Sequence, residues 1–276
     1  MESCLLSYFI RNNDIKDCCD FSIVELPDRK SIYEVIRVID GIPLFLDEHI
    51  NRFFNSLYIC NLNHNISKSR IIKNLKVLID LNGLKNGNVK WVLTWGLDNE
   101  QDFYMWASPY LYPSEQDREN GIACDLVLGK RENPNSKNSD SVLRKRVQAQ
   151  LNKLGAYEII LMDEDEKLLE GSRSNLFFIG GNTIYTSFDA DVLEGVSRQK
   201  IMGICEAEGI KLIKKEIHLK EINKFDAAFL SGTSIKILPI NRIGPFDFVP
   251  NNKLFLKILD KFQSIMDNDL RGFKWN

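Results

Sequence analysis

Long apolar runs are missing from this sequence. Nowhere do roughly 18 uncharged apolar residues follow one another, the length a helix needs to cross ~30 Å of hydrocarbon. The opening stretch MESCLLSYFIRNNDIKDCC has an acidic second residue and no sustained apolar segment, so neither a leader nor an anchor is expected. The protein is expected to be soluble and cytoplasmic. An excess of charge is missing too: 38 acidic residues stand against 36 basic ones, with no basic tract and no acidic tail. That removes the electrostatic argument for nucleic acid or an anionic membrane and leaves small molecules as the expected partners. Histidine is scarce, and His49, His64 and His218 are far apart. No helical pair of metal ligands is visible, and metal catalysis is not expected. The cysteines at 4, 18, 19, 60, 124 and 205 have neither the spacing of a zinc site nor the density of a disulfide scaffold. They are expected to be reduced thiols that mostly pack.

The 276 residues exceed the usual size of one domain, so about two domains are expected. Residues 4–10 and 33–46 read as strands, the second turned at Asp40-Gly41, a strong two-residue hairpin signal. In LDEHINRFFNSLYIC the period changes, with Ile50, Phe53, Phe54 and Leu57 at helical spacing and Asp47 placed to cap. A second helix runs from a Ser cap through SKSRIIKNLKVLIDLNG to its Asn-Gly end. Two strands follow, in NVKWVLTWG and DFYMWASPYLY. The polar stretch PSEQDREN predicts a linker at 113–120, between an N-terminal α/β domain at 1–112 and a C-terminal α+β domain at 121–276. In the latter, strands, the polar loop NPNSKNSDS, helices at 142–156 and 197–210, and the hairpin KLLEGSRSNLFFIGGNTIYTS are mixed. Mixed clusters favour an α+β fold over a regularly alternating parallel sheet.

Several places could carry chemistry, and each has a plain alternative. Gly195 precedes a helix beginning near Val196-Ser197, where backbone N–H groups and a hydroxyl could seat a phosphate, although Ser is also a favoured cap. In FLSGTS, the small residues Ser231, Gly232, Thr233 and Ser234 allow a ligand close to the backbone, or simply make a turn. Arg52 lies on the flank of a helix whose Phe53 and Phe54 pack inward, where arginines are usually solvated. Lys137 in NPNSKNSDS reads locally as a lysine in a polar loop. Glu170, at a strand end before Gly171-Ser172-Arg173-Ser174-Asn175, is either a surface charge or an inward one with a cationic partner. Together they are the parts that hold a pyridine-ring phosphate: anion ligands, an amine for an imine, and an acid for the ring nitrogen.

The order and spacing of these blocks resemble the class IV aminotransferases, the pyridoxal-phosphate family of branched-chain and D-amino-acid aminotransferases and aminodeoxychorismate lyase. The likeness rests on YEVIRVIDGIPLFLDEHINRFFNSL, on Lys137 and the following GAYEIILMDEDEKLLEGSRSNLFFI, on VLEGVSRQ and on AAFLSGTSIKILPI. It implies the two-domain α+β fold of pyridoxal-phosphate fold type IV, with the cofactor between domains, and a homodimer. It implies that Lys137 is the catalytic lysine that forms the imine, that Glu170 faces the pyridine nitrogen, and that Arg52, Ser197 and Thr233, with Val196 and Gly232 beside them, hold the phosphate. Tyr33 matches an aromatic near the substrate, and Trp95 and Ser234 are further substrate-side candidates.

The chemistry implied is amino-group transfer between an amino acid and a 2-oxo acid, with Lys137 moving the α-proton and Glu170 keeping the ring protonated. A lyase reaction, β-elimination to pyruvate and an aryl amine, is the alternative. The substrate side departs from the family: PDRKSIYE replaces a GDG turn at Asp28–Ser31, Trp95 stands where an arginine is common, and Lys236 and Leu238 replace Glu and Thr. If that arginine clamps a carboxylate, this chain needs another cation.

Overall fold

The computed structural model describes residues 3–22, 30–96, 98, 100–131, 133–137, 141–154 and 156–275; Asp28 and Arg29 of the altered turn lie outside them. The chain divides into two compact units. One comprises Met1–Leu111, Ser136–Ser139 and Met266–Asn276, the other Tyr112–Asn135 and Asp140–Ile265.

The first unit is built on β1 (Tyr8–Arg11), β2 (Asp14–Asp17), β3 (Ser31–Ile39), β4 (Ile42–Pro43), α1 (Leu46–Ile59), α2 (Lys68–Asn82), β5 (Gly87–Trp95) and β6 (Gln101–Ser108). Its sheet runs β2-β1-β6-β5-β3-β4, antiparallel throughout. The Asp40-Gly41 turn is as the sequence predicts, with φ of 51° and 79°, the positive values a two-residue hairpin needs. Along β3 burial alternates with period two: Ile32, Glu34, Ile36 and Val38 are buried and the residues between them are half-buried. The buried parity, continued by Trp91, Leu93, Phe103 and Met105, packs with Ile50, Phe53 and Leu57 of α1 and Ile71, Leu75 and Leu78 of α2. Each such side chain contributes roughly 1.5–3 kcal/mol by leaving water. The opposite parity carries Tyr33, Val92, Tyr104 and Trp106, which cluster with Phe9 and Phe21.

Two local expectations change in this unit. Asp47 does not cap α1; the N-cap is Phe45, in the left-handed region at φ 55° and ψ 45° without a side-chain cap, and Asp47 and Glu48 sit in the first turn. Phe45 is fixed from outside, its N–H donating to Asp269 Oδ2 at 2.8 Å while its ring is buried. Cys4 and Cys18 form a disulfide, against the expectation of thiols throughout, because the antiparallel β1–β2 hairpin returns Cys18 beside the chain that leads into β1. Among the remaining cysteines Cys124 and Cys205 are buried, and burial pushes the Cys205 thiol up to about 11.

The second unit opens with α3 (Glu115–Asn120), so the expected linker at 113–120 is helical, started by a capping box between Ser114 and Asp117. There follow β7 (Ile122–Leu128), α4 (Ser141–Leu154), β8 (Glu158–Met162), β9 (Leu168–Gly171), β10 (Asn175–Gly180), β11 (Thr183–Thr186), α5 (Val196–Ala207), β12 (Lys211–Lys214), β13 (Ala227–Gly232), β14 (Lys236–Ile243), β15 (Phe246–Asp247) and α6 (Lys253–Gly272). The strands make one nine-stranded sheet, β12-β11-β10-β13-β14-β7-β8-β9, with β15 on β14. Its pairs β11·β12, β14·β7 and β7·β8 are parallel and the others antiparallel, the mixed α+β arrangement expected. The stretch 167–187 is more than one hairpin: β10 and β11 pair across Gly181, whereas β9, which carries Glu170, pairs with β8. The final residues of α6 belong to the first unit.

Candidate active site

Within the first unit, five side chains gather where β3 meets α1. Glu34 has the buried parity of β3 and is fully buried, an acid set in an otherwise apolar stripe. On α1, His49, Arg52 and Ser56 recur at spacings of three and four, which puts them on one face. Arg52 grips Glu34 with two bonds, Nε to Oε2 at 2.8 Å and Nη2 to Oε1 at 2.6 Å. His49 Nδ1 lies 3.3 Å from Oε1. Burial pushes the Glu34 carboxyl upward, but Arg52, Lys137 and His49 together outweigh burial and hold it well below the usual carboxylate range. Burial dominates for His49 and lowers its pKa, with Glu34 opposing and Arg52 and Lys137 reinforcing.

Lys137 belongs to this cluster, and so to the first unit instead of the C-terminal domain to which the sequence assigned it. Its backbone lies along the open edge of β3: Tyr33 N–H donates to Lys137 C=O at 3.0 Å, and Lys137 N–H donates to Ser56 Oγ at 3.2 Å. Ser56 in turn donates to Arg52 C=O at 2.9 Å. From the strand edge the lysine reaches both sheet faces, its Nζ 3.8 Å from Glu34 Oε1 and 5.2 Å from the centroid of the Tyr33 ring. The cluster therefore carries two cations against one carboxylate, and Arg52 Nη1 makes no hydrogen bond among the described residues. Those features fit a dianionic phosphate and an amine-reactive aldehyde. Trp95 stands apart, on the helix-covered parity of β5 within the main core, with its indole N–H donating to Asn63 C=O at 3.0 Å.

Within the second unit, Glu170 is 3 % exposed and is held from three sides. Arg131 Nε lies 2.8 Å from Oε1, Leu193 N–H donates to Oε2 at 3.1 Å, and Asn175 Nδ2 donates to it at 3.4 Å. The cationic partner that the isolated reading of Glu170 required is thus Arg131. Asn175 also donates to Leu193 C=O at 2.7 Å, so one amide ties β10 to the loop that leads into α5. That loop ends at Gly195, the N-cap of α5, which makes no side-chain cap bond. Ser197 is the second residue of the helix and not its cap, which removes the structural alternative for its hydroxyl. Val196 and Ser197 are buried, so the positive end of α5 is enclosed, and among the described residues it has no side-chain cap, the condition under which a helix start binds an anion. A Cβ at Gly195 would fall 2.1 Å from Asn175 Oδ1, which makes glycine necessary there. At the turn between β13 and β14, a Cβ at Gly232 would sit 3.3 Å from Arg173 C=O, and Thr233 and Ser234 follow in the same turn.

The small residues after Glu170 serve a second carboxylate that sequence reasoning passed over. Glu158 is buried and accepts from Ser172 Oγ at 2.5 Å, Ser174 Oγ at 3.1 Å and Ile159 N–H at 2.9 Å. Sequence reasoning also passed over Glu34 and Arg131. Parity was the available signal for Glu34, since Ile32, Ile36 and Val38 share its phase. No local pattern marked Arg131.

The family profile described as Amino-transferase class IV matches residues 31–243. D-Alanine aminotransferase of Bacillus licheniformis is 26% identical over 245 residues, covering 80% of this chain and 83% of the relative. Aminodeoxychorismate lyase of Bacillus subtilis (strain 168) is 26% identical over 226 residues, covering 77% of each chain. Among solved structures, the branched-chain amino acid aminotransferase of Escherichia coli superposes with a TM-score of 0.84 at 19% identity, covering 95% of both chains, which shows the shared fold.

Proposed function

From the chain's membership of the class IV aminotransferase family, which the match across residues 31–243 shows, we propose that it is a pyridoxal-phosphate-dependent transaminase exchanging an amino group between an amino acid and a 2-oxo acid. The observation that carries this reading is the placement of the Lys137 amine, 3.8 Å from a buried carboxylate that also grips Arg52. Pyridoxal phosphate, when bound, supplies an aldehyde for an amine and a ring that accepts an electron pair. In the first unit, Lys137 would hold the aldehyde carbon through Nζ and later carry the substrate's α-proton. Glu34 and Ser56 fix that lysine and Arg52, whose Nη1 would face a phosphate oxygen. In the second unit, Glu170 would keep a proton on the ring nitrogen, itself aimed by Arg131 and the Leu193 N–H. Val196, Ser197, Gly232 and Thr233 would supply the remaining phosphate donors, and Tyr33 and Ser234 the substrate side. To the same reading we add a cytoplasmic location and a homodimer. The likeness to the Bacillus subtilis lyase supports a second reading, β-elimination giving pyruvate and an aryl amine.

Protein loaded with pyridoxal phosphate is expected to absorb in the visible, and borohydride is expected to fix the label on the peptide containing Lys137. A label on another lysine would overturn the assignment. Transfer of nitrogen from an amino acid to pyruvate or 2-oxoglutarate supports the transaminase. Release of pyruvate from aminodeoxychorismate without such transfer supports the lyase.

A further inference from the structure

In the second unit a buried arginine occupies a place that helix stability does not explain. Arg198 lies in the first turn of α5, next to Ser197, and is 0 % exposed. Its Nη1 donates to Asp189 Oδ1 at 2.7 Å and its Nη2 to Ser187 C=O at 2.8 Å, while its Nε finds no acceptor among the described residues. Burying a cation is costly, an unmet donor adds to the cost, and a positive charge in the first turn opposes the helix dipole. The place of Arg198 follows instead from what it joins.

It joins the helix start to the loop 187–195, which leads from β11 into α5. The loop starts at Ser187, whose hydroxyl is shared between Leu168 C=O at 3.1 Å and Leu169 C=O at 3.0 Å, the residues that precede Glu170 on β9. At Asp189 the loop makes a 3₁₀ turn, and the carboxylate there takes a second cation, Lys214 of β12, whose Nζ donates to Oδ2 at 2.6 Å. Burial pushes the Asp189 carboxyl up, but Lys214 and Arg198 outweigh it and hold the group below the usual range. Further on, Leu193 donates its N–H to Glu170 and Gly195 opens the helix, with a Cβ there falling 3.6 Å from Arg198 Cβ. Arg198 therefore reaches back from the helix start to the beginning of the loop, where Ser187 is tied to the strand of Glu170.

The structure assigns Arg198, acting through Asp189 and Ser187, as a positioning residue that fixes the anion seat at the start of α5 relative to the Glu170 carboxylate. This rests on the reading of Val196 and Ser197 as phosphate donors and of Glu170 as the acid for the ring nitrogen. Two such groups serve one rigid cofactor only at a fixed separation, and the brace through Ser187 and Asp189 sets it. Without the brace, Glu170 keeps its own partner Arg131, so the ring keeps its acid. The phosphate suffers more, because its affinity depends on several N–H groups aimed at one point.

The test titrates apoprotein with pyridoxal phosphate and with pyridoxal, which has the ring and the aldehyde but no phosphate. The ratio of the two affinities is read from the absorbance of the bound ligand. Wild type is expected to favour pyridoxal phosphate, and Arg198→Met to lose that preference roughly tenfold while its affinity for pyridoxal changes little. Arg198→Lys, which keeps the charge but not the fork, is expected to fall between the two. Should Arg198→Met not fold, Asp189→Asn and Lys214→Met decide the question by the same ratio, with losses of roughly two- to fivefold. An unchanged ratio in the folded variants, even where both affinities fall together, makes Arg198 a brace of the fold alone and overturns this role while leaving the transaminase reading intact. Wild type without cofactor absorbance or a borohydride adduct overturns both.

Discussion

Glu34 shows how one residue can organise a site without being its reactive group. Its carboxylate holds Arg52 in two bonds and stands beside Lys137 and His49, so removing its charge takes away the carboxylate that the buried Arg52 and the half-buried Lys137 share. Glu34→Gln is expected to destabilise the apoprotein at pH 7 by roughly 3–5 kcal/mol, measured by urea unfolding. Because its folded pKa lies below the unfolded value of about 4.3, the stability it contributes is complete above that value and is lost as pH falls through the folded one. The difference between wild type and Glu34→Gln is therefore expected to shrink below about pH 4; a difference constant with pH would contradict the assignment. In the proposed reading Glu170 acts on the cofactor instead. Glu170→Ala is expected to retain cofactor absorbance while slowing α-proton removal roughly 100- to 10,000-fold, read by exchange of the substrate's α-deuterium.

At the scale of elements, each unit has one helix start that holds candidate site residues, and neither uses the side-chain cap that sequence rules favour. Helix α1 begins from a left-handed Phe45, a conformation that costs about 1–2 kcal/mol for a residue with a Cβ, and the Asp269 carboxylate holds its N–H. Asp269→Ala is expected to cost about 1–2 kcal/mol in urea and to weaken cofactor binding, since His49, Arg52 and Ser56 all hang from α1. Helix α5 begins at Gly195, where Asn175 leaves no room for a Cβ. Gly195→Ala is expected to weaken cofactor affinity at least roughly tenfold, a change of about 1.4 kcal/mol, checked by titrating apoprotein with pyridoxal phosphate. Elements set by local periodicity were legible: β3, α1, the Ser67-capped α2 and the hairpin of β10 and β11. Less legible were features fixed by distant residues. Nothing near Phe45 announces Asp269, and nothing near Glu170 announces Arg131. The amphipathic α6, with Phe255, Ile258, Phe262 and Met266 buried at spacings of three and four, carried a readable signal that the sequence reading left unused.

At the scale of the whole molecule, the family and the cofactor were legible because their residues fall in short blocks of fixed order. The division into units was not, because Ser136–Ser139 and Met266–Asn276 join a body otherwise made of Met1–Leu111. A hydropathy boundary cannot show such returns of the chain. Phe273 and Trp275 pack on the core of that first unit, so a chain ending at Ile265 is expected to unfold at lower urea, by roughly 2–4 kcal/mol, with no lesion in the cofactor residues themselves. The same threading has a consequence for synthesis. A ribosome releases the chain from its N-terminus, yet the body assembled from the first residues lacks its lysine segment until the second body is under way, and lacks Asp269 and Trp275 until the second body has been made. Domains generally mature in order of emergence; here the order is inverted, and the body begun first is completed only after the second.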